Sequence, residues 1–362
     1  MIFIGAENII SPLGQTAHAN FKALLNNETG LKAKKTNLSE REMFLSSFGE
    51  PDKFSLVEHS IQSIQNSLSQ IDFDLLKQHR VNLLLSTTKG EVQKFKEGKS
   101  EEAILGIYAQ KIAKEFAWLA HHQVISNACV SGVLALVMAH DLIKSGDYDT
   151  IIICGADKVS EFTIAGFLSF LAISDEPCKP FDKNRTGINL GEGIATIILS
   201  KDASLFKNEM FKCLGGSSAN DANHISGPSR TGEGLFRSIS KTLKQAKITP
   251  EQIDFLSGHG TGTSYNDEME SIAFDRAGLS KTPLHSLKGY YGHTFGATGL
   301  IESAICLQSM RANTLIASKG FNELGTSKKI NVLQEHLEKP VYTILKTASG
   351  FGGCNATVLF QK

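Results

Sequence analysis

The sequence predicts an α/β fold built on a largely buried sheet, and three observations support this. Short β-rich runs alternate with helix-period patterns along nearly all of the 362 residues. Several runs are continuously apolar, such as TIIIC at 150–154 and IATIIL at 194–199, as strands covered on both faces are. The chain also repeats a unit, a strand ending in a short Gly-containing segment that runs into a long helix. SNACVSG ends such a strand in the first half, and GHGTGT and YGHTFGATG do so in the second. A break near 201–212 divides the chain into similar halves, residues 1–205 and 206–362.

In chain order, the candidate strands are 2–4, 81–85, 124–126, 150–154, 194–199, 255–257, 342–347 and 357–360. Helical periodicity marks 130–144, 234–247, 267–277 and 297–310. Hydrophobic residues make up 41% of the chain and charged residues 20%, the profile of a globular protein with a substantial core. Lys plus Arg and Asp plus Glu each total 37, so no global field draws the chain to nucleic acid or an anionic membrane. Lys32, Lys34 and Lys35 read as a solvated loop. The six cysteines form no CxxC pair, which argues against a zinc site or disulfide framework and for a reducing compartment. The N-terminal MIFIGAENII lacks a basic segment, and no run is long enough to span a bilayer, so the chain reads as cytosolic.

Three segments carry residues suited to chemistry. In SNACVSG, Cys129 follows a strand and precedes the 130–144 helix, with Ala128, Ser131 and Gly132 leaving room for a substrate. The helix N-terminus is expected to lower the thiol pKa. A nucleophile and a buried structural cysteine are both open readings here. In GHGTGT, His259 stands between glycines beside the hydroxyls of Thr261 and Thr263, or it is a satisfied turn histidine. In LKGYYGHTFGATG, Lys288 and His293 precede a helix whose start can keep the imidazole neutral, or the segment is a Gly-rich turn. GINLGEG at 187–193 lacks the GK[ST] ending and precedes a strand, so it is rejected as a phosphate loop. His121 and His122 have no partner at metal-ligand spacing and read as surface residues.

At these residues the sequence resembles the β-ketoacyl-acyl carrier protein synthases of the thiolase superfamily, specifically the elongating Cys-His-His type. The likeness runs through IGAENIISPLG, SNACVSG, CGADKVSE, KPFDKNRTGINLGEG, NDANHISGP, GHGTGT, LKGYYGHTFGATG and SGFGGCNATVLF. It implies a thiolase-like αβαβα five-layered sandwich of two similar halves, commonly a homodimer. It makes Cys129 the nucleophile and His259 and His293 the histidines of decarboxylation. Lys288 becomes their ordering lysine and Glu270 the acidic residue that holds it. The backbone N–H groups of Cys129 and Phe351 would form the oxyanion hole, with Phe351 also a gate facing Asp221 and His224. Thr261 and Thr263 match phosphopantetheine-binding positions, and Phe167 an acyl-pocket residue.

The implied reaction condenses an acyl thioester on Cys129 with a malonyl thioester on an acyl carrier protein, in fatty acid, polyene or polyketide synthesis. It requires no metal or organic cofactor. The LLLSTTKGE segment looks like synthases of aryl-polyene or flexirubin pathways, and Leu171 stands where a carrier-docking arginine is frequent. An initiating synthase would need an asparagine at His293. A thiolase would need a second catalytic cysteine, and Cys354, in the gate motif, reads as packing instead. The competing function is a non-catalytic chain-length-factor-like partner in a synthase heterodimer.

Overall fold

The computed structural model describes residues 1–49, 54–119, 121–221 and 227–362. Ten strands build its main sheet: β1 (Phe3–Ile10), β2 (Val81–Ser86), β3 (His121–Ile125), β4 (Thr150–Asp157), β5 (Gly193–Ser200), β6 (Phe211–Asn220), β7 (Phe255–Ser257), β8 (Pro283–His285), β9 (Thr343–Gly350) and β10 (Cys354–Gln361). Their order across the sheet is β8-β7-β9-β10-β6-β1-β5-β4-β2-β3, with Asn331–Val332 added outside β8. Read outward from the middle, the two halves have one topology, with each strand of the first matched by the strand five places later. In both, the two outer pairings are parallel and the two inner ones antiparallel. The halves join where Phe3 and Ile4 pair with Lys212 and Phe211.

The longer helices among the described residues are α1 (Ala17–Leu25), α2 (Leu56–Leu68), α3 (Leu105–Lys114), α4 (Ser131–Lys144), α5 (Glu161–Ser169), α6 (Glu233–Ala246), α7 (Ser264–Arg276) and α8 (Thr298–Ala312). α4 and α8 touch each other and strands of both halves, so they form a middle layer between the two parts of the sheet. α2 and α3 cover the outer face of the first half, and α6 and α7 that of the second. The result is the αβαβα arrangement. Its local causes are visible in the sequence. Every residue of β4 and β5 is buried, matching their apolar runs. On α6 the buried Leu235, Ile239 and Leu243 recur every four residues, an apolar stripe that must face the sheet.

Each expected strand is present, most of them longer than expected. β6 and β8 lay outside the expected strands, and FKCLGGSSAN, with its Gly and Ser pairs, carries no continuous apolar run. It is a strand because β1 and β10 flank it, and Phe211, Cys213 and Ser217 alternate into the core. α1, α2, α3 and α5 also lay outside the expected helices. Lys32, Lys34 and Lys35 sit not in a loop but on the hairpin strand Leu31–Thr36, paired with Ser39–Ser46. His121 and His122 are exposed on the edge strand β3.

The middle helices approach as closely as their backbones permit. A Cβ at Gly132 would lie 2.9 Å from the Leu300 nitrogen and 3.0 Å from the Gly296 oxygen and Gly299 Cα. One at Gly299 would lie 2.5 Å from the Val133 nitrogen. Gly132→Ala should therefore destabilise by about 1–3 kcal/mol, the usual cost of overpacking. Gly106→Ala, on the open side of α3, should be neutral or slightly stabilising. Chemical denaturation of the two variants checks this, and equal midpoints would refute the close crossing.

Candidate active site

Cys129 sits on a sharp turn between β3 and α4. Ala128 is held at φ +44°, a left-handed conformation that a side chain adopts only under constraint. Ser131 supplies that constraint, its Oγ accepting the Asn127 N–H at 2.8 Å and donating to the Ala128 carbonyl at 2.7 Å. His293 occupies the equivalent junction of the second half, ahead of α8. Its N–H donates to the Asn189 carbonyl at 2.7 Å, and its carbonyl accepts the Gly191 N–H at 2.9 Å. GINLGEG, rejected as a phosphate loop, is thus the segment that clamps His293.

His259 leaves the end of β7, and carboxylates of α7 hold its loop. Glu270 accepts the N–H of His259 at 2.7 Å and of Gly260 at 2.6 Å, while Asp267 accepts those of Thr261 at 2.8 Å and Gly262 at 3.1 Å. Thr263 caps α7, and its hydroxyl lies 2.8 Å from that of Thr261. This corrects one expectation. Glu270 holds the backbone at His259, and the acidic partner of Lys288 is Glu302 of α8, with Nζ and Oε1 3.0 Å apart. The sequence carried a usable signal for this: Glu302 lies in an otherwise apolar stretch of α8, where a charge requires a partner.

These elements bring Cys129, His259 and His293 together, all buried. His293 Nε2 lies 2.9 Å from Cys129 Sγ, and the two imidazole rings are 5.3 Å apart, nearly perpendicular. Lys288 Nζ approaches His259 Nδ1 at 3.3 Å and also donates to the His259 carbonyl. An ammonium only donates, so Nδ1 must accept and the ring proton sits on Nε2. His293 differs: its Nδ1 meets the Thr298 hydroxyl at 3.0 Å, which in turn meets Thr294 at 3.0 Å. A hydroxyl donates or accepts, so either His293 tautomer is accommodated.

Burial pushes the Cys129 thiol up, against smaller opposing effects of Lys89, Lys288 and the backbone N–H groups of Phe351 and Cys129 that point at the sulfur. The direction is opposite to the lowering expected at a helix start, because desolvation of a thiolate is the largest influence here. Burial, followed by Lys288, holds both histidines well below their ordinary range. The resting pair is therefore a thiol and a neutral imidazole. Burial and the neighbouring Asp267 raise Glu270 to about 7, against the two backbone N–H bonds.

The three donors lie within 4.8 Å of one another, close enough to ligate a metal. The lysine that places the His259 proton on Nε2 makes that nitrogen a donor and adds positive charge, so the set suits an anion rather than a cation.

A cavity of about 890 Å³ opens onto these groups, lined also by Phe167, Thr261, Thr263 and Phe351. The Phe167 ring lies 5.6 Å from that of Phe351 and 6.4 Å from His293. Gly352 and Gly353, at φ +83° and +75°, follow Phe351. Asp221 anchors this segment: its N–H donates to the Gly353 carbonyl at 2.8 Å, and its carboxylate accepts the Gly234 N–H at 2.6 Å. His224 lies outside the described residues. Leu171, 91% exposed, stands with Phe170 and Tyr265 at the mouth, giving it an apolar rim. Cys354 packs beside the central core and does not line the cavity.

Two adjoining family profiles match the chain: "Beta-ketoacyl synthase, N-terminal domain" over residues 77–204 and "Beta-ketoacyl synthase, C-terminal domain" over 211–322. A putative mitochondrial 3-oxoacyl-[acyl-carrier-protein] synthase of Schizosaccharomyces pombe is 28% identical, over 76% of this chain and 69% of that protein. The ketoacyl synthase alpha subunit of the Streptomyces glaucescens tetracenomycin polyketide synthase is 29% identical over 69% and 63%. The 3-oxoacyl-[acyl-carrier-protein] synthase homolog of Saccharomyces cerevisiae is 31% identical over 66% and 58%. The chain thus matches between 58% and 69% of the length of these relatives. In structure, the ketosynthase ApeO of Xenorhabdus doucetiae, solved with its chain length factor ApeC, superposes with a TM-score of 0.87 at 24% identity, over 99% of this chain and 97% of that one. A β-ketoacyl synthase from Burkholderia phymatum gives 0.87 at 20% identity over 100% and 99%. These two share the fold.

The buried neutral histidines give stability a pH dependence. His285, beneath the site between Ser257 and the Ile316 carbonyl, is held by burial to about 3. Unfolding returns it to about 6.5, so below that pH the unfolded chain binds the extra proton. Its contribution is complete above pH ~6.5 and is lost as pH falls toward 3. The thermal midpoint should drop from pH 7 to pH 4, and more steeply than in a His285→Gln variant. Parallel curves would contradict this.

Proposed function

The chain belongs to the β-ketoacyl synthase family, and on that premise we propose that it joins an acyl group held on Cys129 to a malonyl thioester, with loss of CO2. The observation that carries this reading is the 2.9 Å contact between Cys129 Sγ and His293 Nε2, beside a His259 whose Nε2 proton is fixed by Lys288. The sulfur attacks the thioester carbonyl of an acyl carrier protein. The thiol proton passes through His293 Nε2 to the departing carrier sulfur, and the acyl group stays on Cys129. The N–H groups of Cys129 and Phe351, aimed at the sulfur, receive the oxyanion formed beside it. A malonyl thioester then occupies the cavity. As its C–C bond to the carboxylate breaks, charge moves to the thioester oxygen, which accepts from the Nε2–H of His259 and His293. The enolate carbon forms the new bond to the acyl carbonyl, and Cys129 leaves as thiolate and regains a proton.

Thr261 and Thr263, in the cavity wall, are the hydroxyls for the phosphopantetheine arm, and Phe167 flanks the acyl group. The carrier docks at the mouth, where Phe170 and Leu171 supply apolar contact. The partner subunit is a second copy of the chain or a synthase-like subunit. A chain-length-factor role is disfavoured because the thiol and both histidines meet in an open cavity. Among the described residues no helix is long and apolar enough to cross a membrane.

Intact mass after exposure to a panel of acyl carrier proteins should show an acyl-sized gain that Cys129→Ala abolishes. No gain with any donor would refute the synthase reading. His293→Ala should retain part of this self-acylation while malonyl decarboxylation falls about 10²–10³-fold, the loss of one preorganised donor. Decarboxylation at the wild-type rate would overturn the role given to His293.

A further inference from the structure

Two amines share one carboxylate next to His259. Glu302 projects from α8 with Oε1 3.0 Å from Lys288 Nζ and Oε2 2.6 Å from Lys346 Nζ. All three side chains are buried, and neither lysine lines the cavity. Lys346 stands on β9, and its hydrogen bonds go to the carbonyls of Ser257 at 3.2 Å, Gly258 at 3.2 Å and Thr347 at 2.6 Å. Ser257 and Gly258 are the two residues before His259. A continuous chain of contacts therefore runs from Lys346 through Glu302 and Lys288 to His259 Nδ1.

Lys288 alone would neutralise Glu302, so pairing does not account for a second buried lysine. Burying a further cation is costly, and a methionine of similar volume would fill the space. What Lys346 adds is geometry. It stands as an ion pair against the second carboxylate oxygen, which leaves Oε1 directed at Lys288, and its hydrogen bonds to the Ser257 and Gly258 carbonyls tie the stem of the His259 loop to β9. We infer that Lys346 is a positioning residue for decarboxylation: it fixes Glu302 and the His259 stem so that Lys288 meets Nδ1 and the proton stays on Nε2. This inference rests on the function proposed above.

The groups facing His259 are Lys288, His293 and Lys346, with the Glu270 carboxyl at its backbone N–H and the Cys129 thiol across the cavity. After burial, Lys288, His293 and Lys346 each lower the pKa of His259. Removing Lys346 lets that pKa rise, so activity lost through protonation of His259 is lost at a higher pH.

The test compares wild type, Lys346→Met and Lys346→Arg for malonyl-thioester decarboxylation, Cys129 acylation and histidine ring 15N shifts. In Lys346→Met, kcat for decarboxylation should fall on the order of ten- to a hundredfold, as for a misplaced catalytic group, with little change in KM. Its acid limb should move to higher pH, acylation should change far less, and Lys346→Arg should recover most of the loss. The 15N shifts should report Nε2–H for His259 in wild type and a mixture in Lys346→Met. If Lys346→Met does not fold, Lys346→Gln, which keeps one hydrogen bond without the charge, takes its place in the same measurements. Wild-type kcat and acid limb in the variant would overturn the inference. So would equal losses in both half-reactions with no recovery in Lys346→Arg. The ring shifts are read without turnover. A wild type that does not decarboxylate while its His259 tautomer still depends on residue 346 would sink the synthase reading and leave the positioning intact.

Discussion

The crossing of α4 and α8 at Gly132 and Gly299 sets the separation on which the chemistry depends. Cys129 and His293 stand just ahead of these two helices, one from each half of the chain. Because no Cβ intervenes at the crossing, the helix starts converge until sulfur and imidazole nitrogen are 2.9 Å apart. The repeated topology gives this its logic. A single strand–turn–helix unit presents one reactive side chain, and two copies packed face to face present a nucleophile and its histidine. β7, matching β2 of the first half, adds His259 at the end of its strand.

Burial then decides the protonation states. Buried beneath the cavity, the thiol is pushed up and the imidazoles are pushed down, so the resting histidines are neutral. The site is thus prepared for negative charge arriving with the substrate and growing on a thioester oxygen. The two histidines differ in freedom. Lys288 locks His259 into one tautomer, whereas the hydroxyls of Thr298 and Thr294 leave His293 free to carry its proton on either nitrogen, as the two proposed steps require.

The entrance follows different physics. Phe167 and Phe170 each pack tilted against Phe351 at the mouth, and Gly352 and Gly353 hold positive φ in the turn between β9 and β10. Asp221 ties that segment to the start of α6, its N–H bonding the Gly353 carbonyl and its carboxylate the Gly234 N–H.

Much of this was legible in the sequence. The alternation of apolar strands and periodic helices established the fold class, and three Gly-containing segments at strand ends marked Cys129, His259 and His293 as candidates, whose roles came from the family resemblance. Local pattern suffices for the elements, because burial on both faces of a strand and a turn before a helix each leave a mark within a few residues. The strand Phe211–Asn220 left none, since its neighbours in the sheet, not its composition, make it extended. The pairing of Lys288 also could not be read from spacing. Glu270 and Glu302 stand 18 residues before and 14 after Lys288 in the chain, and only the placement of α8 beneath His259 selects Glu302. The direction of the thiol shift was misjudged for a similar reason: the helix terminus is a local feature, but the desolvation that raises the thiol comes from layers packed on both sides. Sequence determined which reactive groups the protein carries. Tertiary structure decided their partners and protonation, because both depend on distances and burial between segments far apart in the chain.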